Sequence, residues 1–267
     1  MSPEEIFANL IEALRRHPSL TIAVSGGIDS MTLAFVAHRM ADGAVTMVHA
    51  VSPAVPPLAT ERVRQYANRE NWRLTVVDAG EFGDASYRAN PIDRCYYCKT
   101  HLYDRIRALS PGIVASGTNL DDLGDFRPGL KAAAERHVVH PFVEAGIGKD
   151  GIRSLALWLG LTDIAELPAQ PCLASRVETG IAIDPTDLAF IDVVEQAVRS
   201  QVAPTATVRC RITQAGVVME VGGVDQSAFS RIAEVVAPLC ADGDRPFAGI
   251  KAYRQGSAFL QPSDPLR

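Results

Sequence analysis

Short apolar runs alternate with helical patterns along most of the chain. LTIAVS leads into DSMTLAFVAHRMA and VTMVHAV into ATERVRQYANREN, and LTVVDA, GIVASGTN and HVVHPFVE follow. Apolar runs of this length, set between segments with apolar positions three and four apart, predict strands joined by crossover helices. Strands joined that way are parallel and covered on both sides, which is why their sequences are apolar without alternation. The expected fold class is α/β, a parallel sheet with helices on both faces. Its first helix is predicted to start at Asp29, with Leu33, Phe35, Val36 and Met40 toward the strands. Before the sheet, MSPEEIFANLIEALRRHP reads as a helix with Ser2 as cap, Pro3 at the first position and Glu5 closing a capping box.

From about Pro185 the texture changes. DLAFIDVVEQAVRSQV reads as a long helix, TATVRCRI and GVVMEV as strands, QSAFSRIAEVVAPL as a helix and FAGIKAY as a last strand. This α-β-β-α-β stretch has the apolar positions for a smaller α+β domain with its own core. The boundary is placed within residues 177–186, giving domains 1–180 and 181–267.

The first candidate chemistry lies where the first strand meets the first helix of the sheet, in VSGGIDS. Two glycines let the backbone approach an anion, and the helix that follows offers free N–H groups and the positive end of its dipole. Ser25 and Ser30 add hydroxyls, and Asp29 stands at the helix start. The loop lacks the Gly-Lys-Ser/Thr ending of a Walker A motif. SGGIDS resembles the PP-loop of the ATP pyrophosphatase superfamily, whose members hold the pyrophosphate of ATP here while attaching AMP to a substrate oxygen. GTNLDD, residues 117–122, follows a later strand, where related enzymes place nucleotide or magnesium contacts; its plainer reading is a turn with an Asx motif. GIGKDG, residues 146–151, fits GxGxxG on paper. It follows Pro141 rather than a clean strand, and no acidic residue stands ~20 positions on to take a ribose, so it reads as a loop capping the helix DGIRSLALWLG, with Gly160 as its stop.

Composition narrows the class. With 267 residues, 47% of them hydrophobic and 21% charged, the chain is globular and large enough to bury a core without staples. A net charge of −5 argues against broad electrostatic contact with nucleic acid. The acidic, helix-forming N-terminus is unlike a signal peptide, and no apolar run approaches the ~20 residues a bilayer requires, so a cytoplasmic protein is expected.

Five cysteines, at 95, 98, 172, 210 and 240, are an odd number for a disulfide framework in such a compartment. RCYYCK sets Cys95 and Cys98 three apart, and zinc, an iron–sulfur cluster and core packing all remain open for them. A closed zinc site wants four ligands, and no second pair exists; His101 is available, but on the same helix. Cys172, in LPAQPCLASRVETG, lies near Ser175 and Arg176, and Arg176 is a permanent cation suited to lowering the pKa of the thiol or to holding a phosphate. Cys210 and Cys240 sit in apolar surroundings and read as packing residues.

Taken in order, SGGIDS, RCYYCK, GTNLDDLGDFRPGL, VVHPFVEAGIGKDGIRSLALWLGL and PCLASR resemble the LarE-type sulfur transferases of the PP-loop superfamily; VRCRI and VMEVGG extend the resemblance to the C-terminal part. That family converts pyridinium-3,5-biscarboxylic acid mononucleotide to its thiocarboxylic form through acyl-adenylates, in nickel-pincer nucleotide cofactor biosynthesis. The resemblance implies ATP with magnesium as cofactor, Ser25, Gly26, Gly27, Asp29 and Ser30 around the pyrophosphate, Gly117 near the nucleoside, and Asp122 or Asp125 toward magnesium. It also implies a homo-oligomer, a hexamer, with a small-molecule nucleotide as substrate and no nucleic-acid or membrane partner. One branch of the family has a single cysteine at the position of Cys172, which gives up its own sulfur. Another has cysteines at the positions of Cys95, Cys98 and Cys172, which bind a [4Fe-4S] cluster. The three cysteines favour the cluster branch, recharged by a sulfide or persulfide donor, with Cys172 as ligand. Arg176 and Arg209 are the cationic candidates for the substrate phosphate, with Glu220 as an orienting partner and Arg176, Cys172 and Asp29 as the catalytic group. The rival readings are a sacrificial Cys172, a cluster-dependent tRNA thiolase and a nucleotide-binding iron–sulfur sensor.

Overall fold

The structure, a computed structural model, describes residues 1–40, 44–110, 112–124, 126–169 and 171–254. They fall into two compact units. Among the described residues, those of 1–84 and 93–169 make the first; those of 85–92 and 171–254 make the second. The division differs from a cut at 180 at both ends of the expectation: the second unit takes in the PCLASR segment, and it borrows eight residues from the middle of the first.

The first unit carries a four-stranded parallel sheet in the order β3-β2-β1-β4, with β1 at Ser19–Ala23, β2 at Ala44–Val51, β3 at Leu74–Asp78 and β4 at Ile113–Ala115. Helices cover both faces. On one, Leu20, Ile22, Val24, Val45 and Met47 pack with α1 (Pro3–Arg15), α2 (Ile28–Met40), α3 (Pro57–Glu70) and, from later in the chain, α8 (Lys149–Trp158) and α9 (Thr162–Ala165). On the other, Val48, Val77 and Val114 pack with Tyr103 and Ile106 of α5 (Arg94–Leu109) and Ala133 of α6 (Pro128–Glu135). Neighbouring residues of β2 thus serve opposite cores, as a strand buried on both sides requires.

Helix α1 starts as its sequence predicts. The Ser2 hydroxyl accepts the Glu5 N–H at 3.3 Å, and the Glu5 carboxylate accepts the Ser2 N–H at 2.7 Å. Helix α2 is wrapped by α1, α8 and α9 as well as by the sheet, so every residue from Ile28 to Ala37 except Asp29 is buried. Leu33, Phe35 and Val36 are inside as expected, whereas Met40, the last residue of the helix, is 44% exposed where the helix leaves the packed layer. HVVHPFVE contributes only a single bridge, Val139 to Ala115, before it turns into the short helix α7 (Pro141–Glu144). Pro141 has no N–H to give to a ladder, so the would-be strand ends there. No helix among the described residues is long and apolar enough to cross a membrane.

The second unit holds α10 (Pro185–Arg199), β5 (Thr207–Thr213), β6 (Gly216–Gly222), α11 (Ala228–Asp242) and β7 (Phe247–Ala252), the expected α-β-β-α-β order. Strand β6 is central, antiparallel to β5 and parallel to β7. The borrowed segment, residues 85–92 with the one-turn helix α4 (Ala85–Arg88), is held by Asn90. Asn90 is fully buried at φ +53°, a conformation that asparagine tolerates better than most residues. Its side-chain amide donates to the carbonyls of Val177, Glu178 and Ile181 at 3.3, 2.9 and 3.0 Å, and its own carbonyl accepts the Gly180 N–H. Replacing Asn90 with alanine removes the donor from the buried Val177 carbonyl, at roughly 1–3 kcal/mol, and from the part-buried Glu178 and Ile181 carbonyls, which water can partly satisfy, so the second unit is expected to lose about 2–4 kcal/mol; urea unfolding followed by circular dichroism measures it.

Candidate functional site

Val24 prolongs β1 by donating to Val48, and the chain then turns through residues 25–27 into α2. Gly26 takes φ +79°, and a β-carbon there would lie 2.6 Å from the Ala59 carbonyl oxygen, so the position admits only glycine. The Arg62 guanidinium donates to the Gly26 carbonyl at 2.7 Å. The Ser30 hydroxyl donates to the Gly27 carbonyl at 3.2 Å and accepts the Ser25 N–H at 3.0 Å, with the Ser25 hydroxyl also 3.0 Å away. The two serines therefore brace the loop. The first N–H groups of α2 have no preceding turn to bond, and donors of this kind suit an anion.

Gly117 reaches the same place from β4. A β-carbon there would lie 2.7 Å from the Ser30 nitrogen and 2.9 Å from the Asp29 carbonyl carbon, so the GTNLDD turn sits against the start of α2. Within that turn the Asx reading holds: Asn119 accepts from the Asp121 N–H, and Asp122 accepts from the Asn119 N–H while pairing with Arg127 at 2.7 Å. Asp121 reaches outward and accepts the Lys149 N–H at 2.6 Å, at the first residue of α8. Asp125 lies outside the described residues.

Two residues of this site were not singled out by the sequence. The Lys149 ammonium binds both carboxylate oxygens of Asp29, at 2.7 and 2.6 Å. Burial pushes the Asp29 carboxyl above its ordinary value, and Lys149 opposes the shift. Its signal was the lysine inside GIGKDG, which the dinucleotide pattern obscured. His49, buried in β2, stands 2.8 Å from the Val24 carbonyl through Nδ1 and 2.9 Å from the Thr60 hydroxyl through Nε2. A neutral ring satisfies both, donating to Val24 and accepting from Thr60, and burial holds its pKa below the usual histidine value. A buried histidine in an apolar strand was the one available hint.

Cys95 and Cys98 lie in the first two turns of α5, both half-buried and neither in a disulfide. An i, i+3 spacing puts them on one face. His101, one turn further, pairs with Asp84 at 3.0 Å, so its ring is engaged by a carboxylate. Cys210 and Cys240 are buried and burial pushes both thiols upward, which fits packing and not ligation. Within neither unit do three or more His, Cys, Asp or Glu side chains gather as a metal site among the described residues; Cys95 and Cys98 belong to the first unit and Cys172 to the second.

Cys172 caps a 3₁₀ turn, Leu173–Arg176, with its side chain half-buried. Arg176 is used differently from the expectation of a phosphate or thiolate partner. It is 3% exposed and its guanidinium points inward: Nε and Nη2 fork onto Glu195 at 2.8 and 3.1 Å, and Nη1 donates to the carbonyls of Pro171 and Cys172 and to the Ser175 hydroxyl. It is a clasp on the PCLAS turn. Arg211, which the sequence reading passed over, closes the turn from β5 by donating to the Ser175 carbonyl at 2.9 Å and to Glu220 at 2.6 Å. Glu220 is thus an orienting partner of Arg211 and of Lys251, at 3.4 Å, and stands opposite Arg209 in the strand register. Arg209 is buried, with its guanidinium near the Tyr253 ring; burial and the neighbouring Arg176 lower its pKa to about 10. Glu195, buried among Arg176, Arg199 and the Cys210 N–H, is held below its ordinary value by Arg176 despite burial. Four arginines, 176, 199, 209 and 211, are thus gathered around Glu195 and Glu220.

No protein-family model matches the chain. Over 163 residues, 60% of this chain, it is 39% identical to an uncharacterized protein of Synechocystis sp., of whose length the match spans 60%. It is 28% identical over 198 residues to an uncharacterized protein of Methanocaldococcus jannaschii, covering 73% of this chain and 75% of that one. It is 29% identical over 207 residues to the pyridinium-3,5-bisthiocarboxylic acid mononucleotide synthase of Lactiplantibacillus plantarum, covering 76% of this chain and 75% of the synthase. The resemblance to the LarE-type sulfur transferases holds.

The neutral His49 sets a pH dependence. Its folded pKa is depressed, so the unfolded chain binds the proton first; stability is full above about pH 6.5, the free histidine value, and falls as pH drops through it. His140, whose pKa burial also lowers, adds to the same slope. The urea midpoint is expected to fall between about pH 7.5 and about pH 5.5, and His49→Gln to flatten part of that fall. In the second unit, Glu195→Gln removes the charge that balances Arg176 and is expected to destabilise by about 3–5 kcal/mol, measured by urea unfolding.

Proposed function

We propose that the chain is an ATP-dependent sulfur transferase that converts pyridinium-3,5-biscarboxylic acid mononucleotide to its thiocarboxylic form in nickel-pincer nucleotide biosynthesis. The observation that carries the reading is the similarity to the Lactiplantibacillus plantarum synthase over 76% of the chain, joined to a glycine loop built against the start of α2. In the reaction a substrate carboxylate oxygen attacks the α-phosphorus of ATP, the bond from that phosphorus to the bridging oxygen breaks, and pyrophosphate leaves with the electron pair. A sulfur nucleophile then attacks the acyl carbon and expels AMP.

The residues divide this work. Gly26 and Gly27 bring the backbone close to the pyrophosphate, and the free N–H groups of α2 and its dipole bind it. Asp29, at the start of the same helix, would be the oxygen ligand suited to magnesium. Asp122, tied to Arg127, holds the GTNLDD turn against the loop and takes a lesser part. Arg209, in a cluster with an excess of cations, is the candidate for the substrate phosphate, while Arg176 and Glu220 keep the Cys172 turn and β5 in place.

The half-buried thiols of Cys95, Cys98 and Cys172 are of the right chemistry for iron, three thiolates leaving one iron of a [4Fe-4S] cluster open, and such a cluster would supply sulfide to the acyl-adenylate. Anaerobically prepared protein is expected to contain iron and acid-labile sulfide. It should release pyrophosphate on mixing with ATP, magnesium and the biscarboxylic nucleotide. Cys95→Ala should lose iron and thiolation while keeping pyrophosphate release. An iron-free chain that thiolates once, with Cys172 left one hydrogen sulfide lighter, would replace the cluster by a sacrificial Cys172; no nucleotide-dependent pyrophosphate release would leave a sensor.

A further inference from the structure

The peptide units of the loop at residues 24–28 are tied down from several sides. The Val24 carbonyl is held by His49 and the Ser25 N–H by the Ser30 hydroxyl, while the Gly27 carbonyl takes the Ser30 hydroxyl and the Met31 N–H. The unit that joins Gly26 to Gly27 is the one with no β-carbon on either side. A peptide plane turns over by opposite rotations about ψ of its first residue and φ of its second, and glycine accepts the angles on both sides of that turn. The two glycines that let an anion approach therefore also leave this plane free to turn over. What holds it is Arg62, whose guanidinium donates to the Gly26 carbonyl at 2.7 Å.

We infer that Arg62 is a positioning residue for nucleotide binding: by holding the Gly26 carbonyl against α3 it fixes the Gly27 N–H as a donor to the pyrophosphate end of ATP. This rests on the adenylation reading above. In a planar trans peptide the C=O and N–H point in opposite directions, so a carbonyl turned toward α3 turns the following N–H away from it. Turned over, the same plane would offer an anion a carbonyl oxygen in place of a donor, and attraction would become repulsion. Arg62 is well placed to prevent this. It lies one turn beyond Ala59 on α3, on the face that comes so close to Gly26 that a β-carbon there would be 2.6 Å from the Ala59 carbonyl oxygen. Its side chain is half-buried, and the Asp163 carboxylate opposes the lowering of its pKa by burial, which steadies the charge where it stands. A hydrogen bond from a charged donor is the stronger kind, and here it is given to the backbone. Arg62 thus acts through the Gly26–Gly27 peptide.

The test uses the full chain. Inorganic pyrophosphate and magnesium-ATP are titrated by calorimetry against the wild type, Arg62→Ala and Arg62→Lys, at low salt and in about 0.5 M sodium chloride, where charges act over only a few ångströms. Thermal unfolding and steady-state pyrophosphate release are measured on the same samples. Arg62→Ala is expected to bind pyrophosphate about tenfold or more weakly at both salt concentrations, the worth of one backbone donor to a charged group. The KM for ATP should rise with that loss, and Arg62→Lys, which keeps a donor, should recover most of the affinity. If Arg62→Ala binds pyrophosphate as the wild type does and only melts earlier, the arginine is a structural brace, and the inference falls while the adenylation reading stands. If its deficit is present at low salt and gone at high salt, the guanidinium acts through long-range charge and the inference also falls. If the wild type binds neither ligand, both readings fall. Should Arg62→Ala fail to fold, Arg62→Met, which keeps a packing stem and drops the donor, is judged by the same outcomes.

Discussion

Helix α2 is buried along almost its whole length, and a neighbour can come close to its first turn only where it carries no side chain. Gly117 meets that condition from β4, where a β-carbon would strike the Ser30 nitrogen, and Gly26 meets it from the loop itself, where one would strike the Ala59 carbonyl. Much of the first unit's chemistry depends on these two approaches. They shape the loop by close backbone approach, and the serine hydroxyls brace it from within. His49 and Arg62 then hold the loop from behind through the Val24 and Gly26 carbonyls.

The Gly117 approach also decides where charge goes. It draws the GTNLDD turn to the loop, that turn carries Asp121, and Asp121 seats the first residue of α8. Lys149 consequently arrives beside Asp29 from a segment 120 residues away. In the second unit the equivalent tie is Arg176. A guanidinium that is itself buried and donates to Glu195, two carbonyls and a hydroxyl is worth more as a brace than as a surface cation, because its own N–H groups are satisfied only by holding that turn. The brace fixes the backbone of Cys172 while its side chain stays half-exposed.

Much of this was legible along the chain. The capping box of α1, the strand and helix alternation, the loop at residues 25–27 and the α-β-β-α-β order of the second unit are written in local patterns, and local physics reads them. What was misread depended on partners remote in sequence. PCLASR looked like a cation beside a thiol because Glu195, which turns that cation inward, lies 19 residues on. HVVHPFVE is the local exception: four of its first seven residues suit a strand, and Pro141 stops it after a single bridge. Nothing local marks residues 85–92 as part of the second unit; that follows from Asn90 finding three carbonyls at 177–181.

The sequence by itself determined the fold class, the glycine loop at the start of α2, the positions of the three cysteines and the resemblance to a sulfur-transferase family, since each rests on patterns within short segments. Only the tertiary structure decided which charges are neutralised and by which partner. Asp29 is answered by Lys149, Arg176 by Glu195 and Glu220 by Arg211, because a charge removed from water must be met at contact distance by whatever the fold brings there.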